Sequence, residues 1–164
     1  MPGITIDTAA AERIARLLIQ RRQTLAVSES SAGGLISAAL LSVPGASAYF
    51  QGGGIIYTGT AREGLLGVAP ADLGGIRSAT VEMSQLLART VRTRLGTDWG
   101  LAETGATGPS GNRYGDAAGH CCLAVDGPVP RSRLLETGRS DRAGNMVAFC
   151  AAALALLEEA VAAQ

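Results

Sequence analysis

Short apolar runs and helix-patterned segments alternate through the first hundred residues, and most changeovers fall on turns that contain glycine, serine or proline. "TLAVS", 24–28, suits a buried strand and is too short for a helix. "ESSAGG" follows it, then Leu35, Ile36, Ala39 and Leu40 at helical spacing, stopped near Pro44-Gly45. Residues 8–22 read as a helix capped by Thr8 or Asp7, with Ile14, Leu17 and Leu18 as its apolar stripe. "GGIIYT", 53–58, reads as a second strand, followed by a short helix with Ala61, Leu65 and Leu66 inward and Gly67 at its end. Ser78 precedes a long amphipathic helix through Leu95, and "WGLAE", 99–103, is a third strand. Such alternation implies right-handed crossovers and a mostly parallel sheet covered on both faces.

Beyond residue 103 the pattern changes. Residues 104–119 form a loop with five glycines. "HCCLAV" and "RLLET" are two further strands joined at Asp126-Gly127-Pro128, a hairpin that makes the sheet mixed. A helix from about Asp141 to Ala162 closes the chain, with Met146, Phe149, Cys150, Ala153, Leu157 and Val161 on its face. The expected architecture is a single α/β domain over residues 1–164, with about five strands.

Composition removes several classes of chemistry. All fourteen basic residues are arginine, so lysine bases, Schiff-base lysines and P-loop lysines are excluded. His120 is the only histidine, which excludes multi-His metal sites. His120, Cys121 and Cys122 are consecutive, so in a strand they alternate between faces rather than converge on one ion. Three cysteines, two of them adjacent, read as reduced structural residues. Net charge is zero with no basic run, which argues against nucleic-acid binding. No apolar run is read as reaching the roughly 20 residues of a membrane span. The N-terminus lacks a charged start and apolar stretch of a secretion signal, so a cytoplasmic location is expected.

Three segments sit at the carboxyl ends of the strands, where open α/β sheets bind ligands. In "SESSAGG", Gly33 and Gly34 let the backbone approach a ligand, and the following helix offers free N–H groups to an anion. Ser30 or Ser31 could bind the same anion or attack an acyl carbon; equally, the segment could simply cap a helix. In "YTGTAR", Arg62 follows Tyr57 by five residues and suits a phosphate, or a solvated helix position. In the long loop, Thr104, Gly105 and Gly108 can turn N–H groups onto an oxyanion, and Asn112, Arg113 and Tyr114 can reach a ligand; a flexible connection is the plain alternative. Arg142 could reach inward from the start of the last helix, while His120 reads as a satisfied strand histidine.

Taken in order, "SESSAGG", "PGASAYF", "YTGTAR", "LLGV", "TGATGP" and "GRSDR" resemble the motifs of the CinA C-terminal family, the nicotinamide mononucleotide deamidases. The resemblance spans nearly the whole chain. It implies a three-layer α/β/α fold with a mixed, mostly parallel sheet. It also implies serine-type hydrolysis of nicotinamide mononucleotide to nicotinic acid mononucleotide and ammonia, without cofactor or metal, by a homo-oligomer. By motif position Ser30 is the nucleophile, with Tyr57, Arg62 and Thr104 as catalytic partners. Ser31, Gly33, Gly34, Gly105, Asn112 and Arg142 are then expected to bind substrate. Four positions depart from the family: Ser31-Ala32 replaces Cys-Thr, Arg62 replaces a lysine, and Asp116 replaces a second lysine. Arginine cannot serve as a general base at neutral pH, so Tyr57, Glu29 or His120 would have to take that role. The alternative is a divergent member that binds a nucleotide or other phosphorylated ligand without deamidating it. A purely structural partner domain is a third reading. The full-length family carries a further N-terminal domain, so a stand-alone form is expected here.

Overall fold

The structure, a computed structural model, describes residues 4–164. Residues 1–3, where the N-terminal targeting reading begins, lie outside the described residues. Helix α1 spans Ala9–Arg21 and strand β1 Leu25–Glu29. Helix α2 spans Leu35–Leu41, β2 Phe50–Ile55 and α3 Gly59–Leu66. Helix α4 spans Val81–Leu95, β3 Trp99–Ala106, β4 His120–Asp126, β5 Arg131–Glu136 and α5 Arg142–Ala162. Two short 3-10 turns, Ala46–Ala48 and Pro70–Leu73, lie in connections that the sequence pattern leaves unassigned.

The five strands form one sheet in the order β2-β1-β3-β4-β5. Strand β1 pairs parallel with β2 and β3, while β4 runs antiparallel to both β3 and β5. Four strands therefore point one way and β4 alone opposes them. Side chains alternate across each strand and feed two cores. Leu25, Val27, Leu101, Cys121 and Leu123 pack with α1, α2 and α5. Ala26, Ala102 and Ala124 pack on the other face with Leu66, Met83, Leu87 and Val91. The result is three layers, with α1, α2 and α5 on one face and α3 and α4 on the other.

Local details differ from the sequence pattern where solvent or neighbours decide. Leu65 is exposed rather than inward, because only one face of short α3 meets α4. Thr80, not Ser78, caps α4, its hydroxyl accepting from Met83 N at 3.2 Å. Asp7 Oδ1 accepts from Ala9 N, and Asp141, at the cap position of α5, makes no side-chain capping bond. Helix α5 corrects the membrane reading: at 21 residues, with a mean hydropathy of 1.6 in its most apolar window, it has the length and composition to cross a membrane. Half of that window is buried inside the fold. Its Phe149, Ala153, Leu154 and Leu157 pack in the larger core, which explains its apolar character.

Strand β4 is buried on both faces and edge strand β5 is not, which predicts a contrast between two leucines on these neighbours. Leu123 is fully buried and Leu134 is half exposed. Leu123→Ala should cost about 2–5 kcal/mol in urea unfolding. Leu134→Ala should change stability by no more than about 0.5 kcal/mol. Fluorescence of the single tryptophan, Trp99, reports both.

Candidate functional site

Strands β1, β2 and β3 all end on the same side of the sheet. Strand β4 begins there and β5 ends there, so "SESSAGG", "YTGTAR" and the long loop share one rim, while "PGASAYF" leads into the start of β2 at the opposite edge. This rim includes the crevice where β1 sends its connection to one face and β2 sends its connection to the other.

The turn after β1 is held by two buried carboxylates. Glu29 Oε1 accepts from Gly34 N at 3.1 Å and Ile36 N at 2.9 Å, and its Oε2 accepts from Ser37 N at 2.8 Å. Glu103, from adjacent β3, accepts from Ser30 N at 2.9 Å and Ala32 N at 2.8 Å through Oε2, and from the Ser31 hydroxyl through Oε1. Between these groups Gly33 and Gly34 adopt left-handed backbone, φ 66° and 97°, which makes the turn tight enough for one side chain to cap α2. Burial raises the pKa of Glu103; its three donors oppose that rise, and the charge of nearby Glu29 adds to it.

This arrangement corrects one expectation. The first N–H groups of α2 do not offer an anion cradle, because the Glu29 carboxylate already occupies that position. Gly33 and Gly34 serve the turn. A Cβ on Gly33 would also come within 2.8 Å of Met146 Cε on α5. Ser31 is likewise buried, its hydroxyl committed to Glu103. Ser30 is partly exposed, and among the described residues no side chain hydrogen-bonds its hydroxyl.

Arg142 ties the other rim segments together. Its Nη1 donates to the Gly108 carbonyl at 2.6 Å and its Nη2 to Tyr57 Oη at 3.3 Å, joining α5, the long loop and the end of β2. Asn145, one turn along α5, donates to the carbonyls of Thr107 and Arg139, each at 2.8 Å, and accepts from Thr137 Oγ1 at 2.6 Å. Asn145 is fully buried, and sequence reasoning missed it. A polar residue at a core position of an apolar helix was the available signal.

The remaining expected residues divide. Tyr57 is exposed and reaches Arg142. Arg62 is partly buried and leans toward the Val68 carbonyl at 3.4 Å. Thr104 is buried and pairs with Cys122 across the ladder, so it faces the α3–α4 side of the sheet, opposite to Glu103. Gly105 sits where a Cβ would overlap the His120 carbonyl, so its small size serves the β3–β4 pairing. Asn112 is committed to the loop: its Oδ1 accepts from Tyr114 N and Asp116 N, and its Nδ2 donates to Asp116 at 2.8 Å. Asp116 takes a forked pair from Arg77 at 2.7 and 3.0 Å, and the Arg77 bond is the main reason its pKa falls to about 2.

Charge is segregated across the rim. Glu29 and Glu103 point inward to backbone, while Arg62, Arg113, Arg139 and Arg142 have no carboxylate partner among the described residues. Such a surface suits an anion of phosphate type. The three cysteines are free and buried; burial raises Cys122 to about 11 and Cys150 to about 12, which leaves both as unreactive thiols at neutral pH. No group of three metal-ligating side chains occurs among the described residues.

Residues 7–161 match the CinA C-terminal domain family. A CinA-like protein from a Synechococcus species is 42% identical over 121 residues, covering 74% of this chain and 29% of the relative. A CinA-like protein from Parasynechococcus marenigrum is 41% identical over 128 residues, covering 76% of this chain and 30% of the relative. The chain thus spans less than a third of the length of these curated relatives. A competence-damaged protein (CinA) superfamily protein from Klebsiella pneumoniae superimposes with a TM-score of 0.88 at 25% identity, covering 96% of this chain and 98% of that one. A CinA superfamily protein from Enterobacter cloacae gives 0.86 at 25% identity, covering 98% and 96%.

The two carboxylates predict unequal responses to the same substitution. In Glu103→Gln the amide oxygen can keep both backbone donors, and the amide N–H₂ can donate to Ser31 Oγ, so the network survives by reversing one hydroxyl. In Glu29→Gln every partner is a fixed N–H, so the new N–H₂ faces a donor. Urea unfolding at pH 7 should show a cost of about 1–3 kcal/mol for Glu29→Gln and a near-neutral effect for Glu103→Gln. A raised folded-state pKa means that Glu103 loses stability as pH rises from its unfolded value through its folded value, and the Gln variant should lack that loss.

Proposed function

The chain belongs to the CinA C-terminal domain family, and on that premise we propose that its rim is a serine-type amidase site for nicotinamide mononucleotide. Ser30 Oγ attacks the carboxamide carbon, the carbon–nitrogen bond breaks, and ammonia leaves. Water then cleaves the acyl ester, releasing nicotinic acid mononucleotide and restoring Ser30. The arginines of the rim receive the phosphate, in place of the α2 terminus that Glu29 fills.

The observation that carries the reading is the Arg142–Tyr57 contact. Three residues could replace the absent family lysine. Glu29 is spent on three N–H groups, and His120 is spent on Glu136 and the Ala79 carbonyl. Tyr57 keeps an exposed oxygen beside a cation. A neutral phenol can relay: its oxygen takes the Ser30 proton while its own O–H proton passes to the departing amino group. The Arg142 N–H stabilises the negative charge that develops on the phenol oxygen during this exchange.

A second reading, nucleotide binding without turnover, draws on the free Ser30 hydroxyl, which has no side-chain base hydrogen-bonded to it among the described residues. Ammonia release from nicotinamide mononucleotide separates the two. The amidase reading expects turnover that Ser30→Ala reduces to background and that Tyr57→Phe lowers about 10²–10⁴-fold in kcat. Saturable binding with no ammonia above the Ser30→Ala control would leave only the second reading. A homo-oligomer is part of the same proposal, and light scattering measures it.

A further inference from the structure

His120 lies 16 residues before Glu136 in the chain and directly opposite it in the β4–β5 ladder. Its Nδ1 meets the Glu136 carboxylate, and its Nε2 lies 2.8 Å from the Ala79 carbonyl. Both partners are acceptors, so both ring nitrogens must donate. Only an imidazolium does that. The residue is 7% exposed, and its second acceptor, Ala79, is 4% exposed with φ 57°, a left-handed conformation that alanine adopts only when its surroundings hold it there.

These contacts form a chain of anchors. Two residues before Ala79, Arg77 grips Asp116, and Asp116 closes the small ring with Asn112 at the tip of the 107–119 loop. The other end of that loop carries the Gly108 carbonyl held by Arg142. We infer that charged His120 is a positioning residue that holds the 107–119 loop against the sheet through the Arg77–Ala79 turn, and that this hold loosens as pH rises through the titration of the ring. On losing a proton the ring keeps its charge-assisted bond to Glu136, so Nε2 becomes the acceptor and faces the Ala79 carbonyl lone pairs. The bond that fixes the left-handed turn is lost.

The groups around the ring bear on the sign. Glu136 faces it from β5, and Asp116 Oδ2 from the loop at 3.8 Å from Nε2. Cys122 Sγ on the same strand is 3.5 Å from Nε2. Arg77 acts through Asp116, and Glu82 on α4 lies near Cys122. Burial opposes the charged ring, but the Glu136 bond, the Ala79 carbonyl and the Asp116 charge outweigh it and raise its pKa. The tether is therefore complete below the unfolded-state value and is released as pH rises through the folded one.

The inference deepens the site reading by naming what positions its loop, and its test involves no turnover, so its failure leaves the Ser30 chemistry untouched. Because His120 is the only histidine, ¹⁵N-histidine labelling gives a single imidazole spectrum of the whole chain. Both ring nitrogens should be protonated at low pH, with a midpoint above 6.5. Amide exchange, corrected for its intrinsic pH dependence, should lose protection at 77–80 and 112–119 over the same pH range. The loss is about tenfold for each pH unit by which loop closure raises the midpoint. Glu136→Gln should lower the midpoint, and His120→Gln should make loop protection independent of pH. Should His120→Gln fail to fold, the Glu136→Gln titration decides alone. A ring with an ordinary or lowered midpoint, or a loop whose protection is unchanged while the ring titrates, overturns the inference.

Discussion

The turn that presents Ser30 depends on two carboxylates just past the last residue pair that joins the neighbouring parallel strands β1 and β3, each accepting three hydrogen bonds. A buried helix start leaves several N–H groups without partners, and α2 solves this with Glu29 from the strand before it. The solution has an electrostatic cost. Glu29 and Glu103 repel one another in a dry setting, and burial raises the pKa of Glu103. The donors offset that cost, and together they fix Ser30 by its own N–H while leaving its hydroxyl unengaged. The turn is therefore held through its backbone and free at the one side chain to which the proposed function assigns the attack.

The same interaction decides where a ligand's charge can go. With the α2 terminus filled by the protein's own carboxylate, the proposed function assigns anion recognition to arginine side chains, which lie on three different segments of the rim. Arg142 links two of those segments through Gly108 and Tyr57. Under the proposed function, ligand binding and the link between these segments share one residue. The buried acids and solvent-facing arginines also explain how a chain with no net charge presents a cationic site.

Much of the fold was legible because period and turn chemistry agreed. Each of the five strands was found within a few residues, and the Asp126-Gly127-Pro128 turn was enough to make the sheet mixed. Glu29 and Glu103 were harder to read. A carboxylate in a strand carries no pattern that says whether it faces ligand or backbone, and the two lie 74 residues apart. Ser31 and Asn112 looked like ligand residues because polar side chains in glycine-rich turns have the same composition whether they bind substrate or brace the loop. Asn145 was hidden in an alanine-rich helix, and the partners of His120 come from segments 16 and 41 residues away. Contacts of that range follow from topology, which local pattern does not carry.

The central claim is that buried carboxylates, rather than solvent or ligand, satisfy the turn that presents Ser30. Native-state hydrogen exchange at single-amide resolution measures this directly. The amides of Ser30, Ala32, Gly34, Ile36 and Ser37 should exchange only with global unfolding, as slowly as those of β1, while the amide of exposed Gly75 exchanges freely. Exchange of those five amides at the rate of Gly75 would mean that the turn is open to water and would contradict the account.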